Sequence, residues 1–360
     1  MSFNNFEKNE INKDEKNNIN INKKQIFKDN PNLIFKKFLN IQNQFSCDTL
    51  SIEKFDFFIL NQISYIAIPD YFCFVSNSLF ILKINQSLNL EKKLSLEGHK
   101  SPIIYVKNFY DKNNDQNYLF TSDKIFLVII WKIISEKSII IKQTITTKYN
   151  KEIFSGLILF NPKNIFILTS NDSNIYSTEY DFLSGDFKRD IPGTKNNQTF
   201  YILNYNDFII ELCMDKIVIY NLLEENDICE INNENTKGKN SNGIIIKDSV
   251  FSVNYSSGKI IVVNLIQKNI QYILNINHNN CLYSLLEWNS YYIIISDTKN
   301  NRLNILDINQ MKIINSLKVH INPIYIKKIK LNKKKYNNES ILLILGNKMF
   351  FELWLKMNHY

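Results

Sequence analysis

A strand of one type returns seven times along this chain: an alternating apolar approach, a bulky residue, a mostly polar residue, then usually an aliphatic or aromatic one. Its bulky positions are Leu82, Trp131, Tyr180, Tyr220, Val263, Leu306 and Trp354, at intervals of 49, 49, 40, 43, 43 and 48 residues. A barrel or sandwich has no reason to repeat at that length, whereas one four-stranded propeller blade occupies roughly 40 to 50 residues. The spacing predicts an all-β fold, a seven-bladed β-propeller of four-stranded blades.

The segments between these positions agree. From residue 63 onward, short runs of Ile, Val, Leu, Phe and Tyr recur every eight to twelve residues without helical periodicity. In the sixth unit Cys281–Trp288, Tyr291–Ser296, Arg302–Ile308 and Lys312–Leu317 read as successive strands; in the first, Ile63–Ile68, Tyr71–Val75, Leu79–Ile84 and Lys92–Leu96 do so. The chain has only 8 glycines, so Asn, which enters the left-handed region most readily after Gly, is expected to make many turns. Residues 107–117 and 331–339 read as lengthened loops, and Glu224–Asn242 as the longest polar connection.

The seventh unit shows three strands, Ile324–Leu331, Ser340–Leu345 and Met349–Leu355, before the chain ends. A blade short of its outer strand would leave a bare sheet edge. An N-terminal strand is therefore expected to join the last blade and close the ring, and the unassigned apolar segment Phe55–Leu60 is the candidate. The domain reading is a polar tail over residues 1–48 and a propeller over 49–360. Residues 1–25 have the composition of a disordered segment, and Asn32–Leu39 is apolar enough for a short helix that packs on the ring or docks a partner.

Two units carry more specific letters. The second opens with Leu96-Glu97-Gly98-His99 and closes with Val128-Ile129-Ile130-Trp131-Lys132; the seventh opens with Val319-His320 and closes with Glu352-Leu353-Trp354. The His-to-Trp separations are 32 and 34 residues. In these letters, and in repeat length and strand order over about residues 50–360, the chain resembles the WD-repeat β-propeller family. The resemblance implies a buried network in which His99, Thr121 (or Ser122), Asp123 and Trp131 satisfy one another's polar atoms, with His320 and Trp354 as the counterpart in unit seven. The chain departs from the family in its aspartates. Asp123 lies eight residues before Trp131 and Asp172 eight before Tyr180, where the family usually has six; Asp215 lies five before Tyr220, and Asn347 stands where unit seven would carry Asp.

The sequence offers little chemistry. No His or Cys pair has metal-ligand spacing, no Gly-rich phosphate loop or G-x-S-x-G elbow occurs, and the recurring aspartate box of sialidase-like propellers is absent. No cofactor, metal, small-molecule substrate or enzymatic activity is expected. The net charge of +8 comes mainly from lysine, since only Arg189 and Arg302 of 43 basic residues are arginines, and planar guanidinium forks for phosphates and bases are scarce. The densest basic cluster, Lys327, Lys328, Lys330, Lys333, Lys334 and Lys335, brackets one loop of unit seven. It reads first as solvated surface and second as a contact loop for RNA or acidic lipid.

No early segment has the form of a secretory signal, and no apolar run approaches the length of a membrane-spanning helix. Five cysteines without a C-x-x-C pair read as reduced thiols, which points to the cytoplasm or nucleus. By analogy with the family, the expected function is a non-enzymatic scaffold for other proteins within a multiprotein assembly; the alternative is an RNA- or ribonucleoprotein-associated propeller using the Lys-rich loops.

Overall fold

A computed structural model describes residues 33–40, 56–61, 63–69, 77–84 and 90–356, apart from 154, 161–162, 171, 173, 175, 196, 225–226, 233–237, 256, 277–281, 331–339 and 347–349. Among the described residues every regular element is a strand. In chain order they are β1 (Leu33–Asn40), β2 (Asp56–Leu60), β3 (Ile63–Pro69), β4 (Ser78–Ile84), β5 (Leu90–Glu97), β6 (Ile103–Asp111), β7 (Gln116–Asp123), β8 (Leu127–Ser135), β9 (Ser138–Thr146) and β10 (Ser155–Leu159). Next come β11 (Ile165–Thr169), β12 (Thr178–Asp181), β13 (Phe187–Asp190), β14 (Thr199–Tyr205), β15 (Phe208–Cys213), β16 (Ile217–Asn221), β17 (Ile228–Ile231), β18 (Asn240–Ile246) and β19 (Ser249–Asn254). The last are β20 (Lys259–Asn264), β21 (Asn269–Asn275), β22 (Leu282–Asn289), β23 (Tyr292–Asp297), β24 (Arg302–Asp307), β25 (Lys312–Lys318), β26 (Pro323–Lys330), β27 (Ser340–Gly346) and β28 (Phe350–Lys356).

These strands form antiparallel four-stranded sheets: β2 to β5, β6 to β9, β10 to β13, β14 to β17, β18 to β21 and β22 to β25, each in sequence order, and a last sheet ordered β1-β28-β27-β26. Local connections and short hairpins give this meander, the arrangement of a propeller-like fold. First strands of successive sheets lie against one another, β2 on β6, β6 on β10, β10 on β14, β14 on β18, β18 on β22 and β22 on β26. The core is the set of layers between sheets; the largest cluster spans the second to fourth, with Phe120, Phe166, Ile167, Val218 and Tyr220 fully enclosed.

The recurring bulky residues have a structural counterpart. At Leu82, Trp131, Tyr180, Val263 and Leu306, the pairing between the third and fourth strands of the sheet shifts register. In these five sheets a bulge at the same place twists the outer strand away, and the bulky side chain is buried. The composition of the turns also follows expectation: of ten non-glycine residues with positive φ among the described residues, five are asparagines, namely Asn61, Asn150, Asn164, Asn206 and Asn301.

Four expectations are corrected. Phe55–Leu60 does not join the last sheet. Asp56–Leu60 is β2, held to β3 by a tight hairpin through Asn61 at φ 49°, so it serves as the first strand of its own sheet. The strand beside β28 is instead β1, within the segment expected to be a short helix or tail. Its register shifts between Phe35 and Lys37, leaving Lys36 as an extra residue; this breaks the period-2 alternation and imitates helical spacing. The lengthened loop at 107–117 is mostly strand, because β6 runs to Asp111 and β7 starts at Gln116. The polar connection 224–242 contains β17, whose outer position tolerates polar residues. Tyr71–Val75 lies outside the described residues.

Candidate functional site

The residues quoted in unit two converge. His99 Nδ1 lies 3.0 Å from Asp123 Oδ2 and its Nε2 lies 2.6 Å from Thr121 Oγ1, while Trp131 Nε1 donates to the same hydroxyl at 2.8 Å. All four side chains are buried. With the neutral imidazole carrying its proton on Nδ1, Thr121 donates to Nε2 and accepts from Trp131, so each buried polar atom of the relay has a partner. The unusual spacing of Asp123 is absorbed by the following turn, whose Ile125 and Leu127 amides both donate to Asp123 Oδ1. Ser122, the other candidate, donates to Ile153 O in the next sheet. In unit seven Trp354 is buried and its ring centre lies 6.3 Å from that of His320, but His320 is exposed. Asn347 is outside the described residues.

Unit four carries a network that its letters do not announce. Glu211 pairs opposite Val218, two residues before Tyr220, in the register Thr121 holds opposite Ile129, two before Trp131. It is fully buried and accepts hydrogen bonds from Ser177 Oγ, Asn197 Nδ2 and Thr199 Oγ1, with Tyr220 OH at 3.5 Å. Burial raises its pKa, and the four donors offset only part of that shift. Because the native state then binds more protons than the unfolded chain, this stabilising contribution is complete below the ordinary carboxyl range and is lost as pH rises through the native pKa. Glu211→Gln should flatten the fall in unfolding free energy as pH rises above the ordinary carboxyl range, as read by urea titrations at a series of pH values. An unchanged slope would show that Glu211 does not titrate there.

A second cluster lies where the first strands of several sheets meet. Asp56 of β2 accepts Lys327 Nζ of β26 at 2.8 Å and the Asn108 amide of β6 at 2.8 Å, joining the last, first and second sheets. Tyr105, Tyr201 and Tyr325 each follow a register shift at the start of β6, β14 and β26. Burial raises the Tyr201 pKa, and the positive charges of Lys107 and Lys327 offset part of that shift. Lys107 Nζ stands 5.0 Å from the centre of the Tyr201 ring, two sheets away. Burial holds all three phenols above their usual range, so they remain protonated donors at neutral pH. For Lys327 burial acts to lower the pKa, but Asp56 and Tyr201 together hold it above the ordinary lysine value.

The basic cluster is thus not one loop. Lys327 and Lys328 belong to β26 and are engaged internally, Lys328 with Trp288 O at 2.5 Å and with that indole face at 4.7 Å. Lys330 ends β26, and Lys333, Lys334 and Lys335 lie outside the described residues. Lys327 and Lys328 are thus each engaged within the fold. Among the described residues no group of three or more His, Cys, Asp or Glu could hold a metal ion.

The third-to-fourth strand turns add a feature missed in the sequence. After the bulky residue comes Asp181, Asn221 or Asn264, whose side-chain oxygen caps the turn by accepting the amide of Leu183, Leu223 or Ile266 at 2.8 to 2.9 Å. The intervening Phe182, Leu222 and Leu265 are buried, while Leu183, Leu223 and Ile266 are 60%, 69% and 70% exposed. Phe182, Leu222 and Leu265 also donate their amides to Asn164, Asp207 and Asp248, so these turns lie at the same end of their sheets as the first hairpins. The signal was present as a fourth letter, apolar in three successive repeats and Asn309 in the sixth.

No protein-family model matches the sequence. No curated protein matches it either. Its fold is shared: the crystal structure of Chaetomium thermophilum Raptor superposes with a TM-score of 0.69 at 9% identity, over 91% of this chain and 29% of that one. The chain thus corresponds to less than a third of the Raptor chain's length. At this identity the likeness shows the fold, and with 1436 matching solved chains the fold does not single out an activity.

Proposed function

We propose that the chain is a seven-bladed, WD-repeat-like propeller whose ring is closed by β1, and that it works as a non-enzymatic scaffold for other proteins in the cytoplasm or nucleus. The closure reading rests on the β1–β28 pairing and on the Asp56–Lys327 bridge between the last and first sheets. The scaffold reading rests on the exposed row Leu183, Leu223 and Ile266. Isolated apolar residues on a surface are ordinary, but the same turn position left apolar and bare in three adjacent repeats is a patterned surface. Ile134, 52% exposed and likewise three residues past its bulky residue, extends the row to the second sheet. A cleft of about 700 Å³, lined by Leu159, Phe160, Lys163, Asn204 and Asp207, opens at the same end between the third and fourth sheets.

Replacing Leu183, Leu223 and Ile266 together with Ser should strip protein partners from the tagged full-length chain in affinity purification with nuclease present. Folding should be nearly untouched, since exposed substitutions cost about 0.5 kcal/mol or less each. An unchanged partner set would remove the basis for this surface. Loss of partners on nuclease treatment of the unaltered chain would favour the RNA-associated alternative.

A further inference from the structure

We propose that the recess where the last, first and second sheets meet receives the guanidinium group of an arginine side chain from a partner polypeptide. A cavity of about 600 Å³ opens there, walled by Ile59 of the first sheet, by Tyr110, Asp115 and Asn117 of the β6–β7 hairpin and by Lys327 and Lys328 of the last sheet. That volume is ordinary for a ligand site. The two lysines do not reserve it for an anion. Lys327 Nζ is neutralised by Asp56 at 2.8 Å and Lys328 Nζ donates to Trp288 O, and neither Asp56 nor Trp288 lines the cavity.

The wall is rich in acceptors without donors. Asn117 is only 8% exposed, and its Nδ2 donates to Ile59 O at 2.9 Å. That bond fixes which way round the amide sits, so Oδ1 is left without a hydrogen bond among the described residues. Asp115 accepts the Tyr110 hydroxyl on Oδ1 at 2.6 Å, has no cationic partner among the described residues and leaves Oδ2 open. A third oxygen, Asn108 Oδ1, is enclosed in the same wall without a partner. Beside these oxygens Tyr110 is 47% exposed, its ring steadied by the bond to Asp115. A guanidinium carries five donors and no acceptor, and its flat face stacks on an aromatic ring. A sugar would bring acceptors as well as donors, and an ammonium has no face to stack.

The proposal rests on the scaffold reading only for the source of the arginine. The recess uses none of the residues of the row Leu183, Leu223 and Ile266, so either surface can fail without the other.

The test is calorimetric titration of the full chain with the peptide acetyl-Gly-Gly-Arg-Gly-Gly-amide, with its lysine and citrulline counterparts, and with free arginine. Saturable binding of the arginine peptide is expected, with both counterparts and the free amino acid at least five-fold weaker. Asp115→Asn should weaken the arginine peptide at least five-fold and Tyr110→Leu several-fold. Asp186→Asn, at an exposed turn carboxylate of the third sheet, should leave binding unchanged. Thermal unfolding of each variant separates lost binding from lost fold, and Asp115→Asn keeps the side chain's shape. No saturable binding in the unaltered chain, equal binding of the citrulline or lysine peptide, tighter binding of free arginine, or equal binding by Asp115→Asn would each overturn the proposal.

Discussion

Asp123→Ala is expected to lower the unfolding free energy by about 3 kcal/mol or more, since each of the three buried donors it leaves without an acceptor costs about 1–3 kcal/mol. The carboxylate is fully enclosed and serves three donors, His99 Nδ1 and the amides of Ile125 and Leu127. Alanine leaves all three without an acceptor in a space too tight for easy rehydration. Urea unfolding should show a lower midpoint with an unchanged slope. His99→Ala should be costly for the same reason, and the double variant less so than the sum, with about 1–3 kcal/mol of coupling. The control is in the molecule: His320→Ala, at the matching but exposed position, should cost under about 1 kcal/mol. Equal costs at His99 and His320 would show that the enclosed relay contributes nothing.

Deleting residues 1–40 is the other large effect. It removes β1 and exposes β28 along all seven of its registered partners. Each backbone hydrogen bond lost along this edge contributes about 0.5–1.5 kcal/mol net, so the truncated chain is expected to melt several degrees lower. The bare edge should also make unfolding depend on concentration, as exposed strands pair between molecules. A truncated chain that melts and stays dispersed like the full one would show that β1 does not hold the last sheet.

What the sequence showed depended on whether the cause was local. The bulky position of each repeat is legible because its neighbours in the chain are also its neighbours in the sheet, and in five of the sheets a bulge recurs with it. The His99 relay was readable from letters 32 residues apart because two successive hairpins, β6–β7 and β7–β8, bring them together. Asp56 was invisible: its partner Lys327 is 271 residues away and no periodic signal marks either. Glu211 was missed because a carboxylate stands where a hydroxyl was sought, and its four donors come from three segments. The strand beside β28 was misassigned because the extra Lys36 breaks its alternation.

The closed ring is tested most directly by hydrogen exchange of the backbone amides of Phe350–Lys356, in the full chain and in the chain lacking residues 1–40. In an antiparallel strand alternate amides point to opposite neighbours. The account predicts slow exchange throughout this segment in the full chain. After truncation it predicts fast exchange at every second amide, those facing β1, with those facing β27 still protected. An exchange pattern that is the same in both chains would contradict closure of the last sheet by Leu33–Asn40.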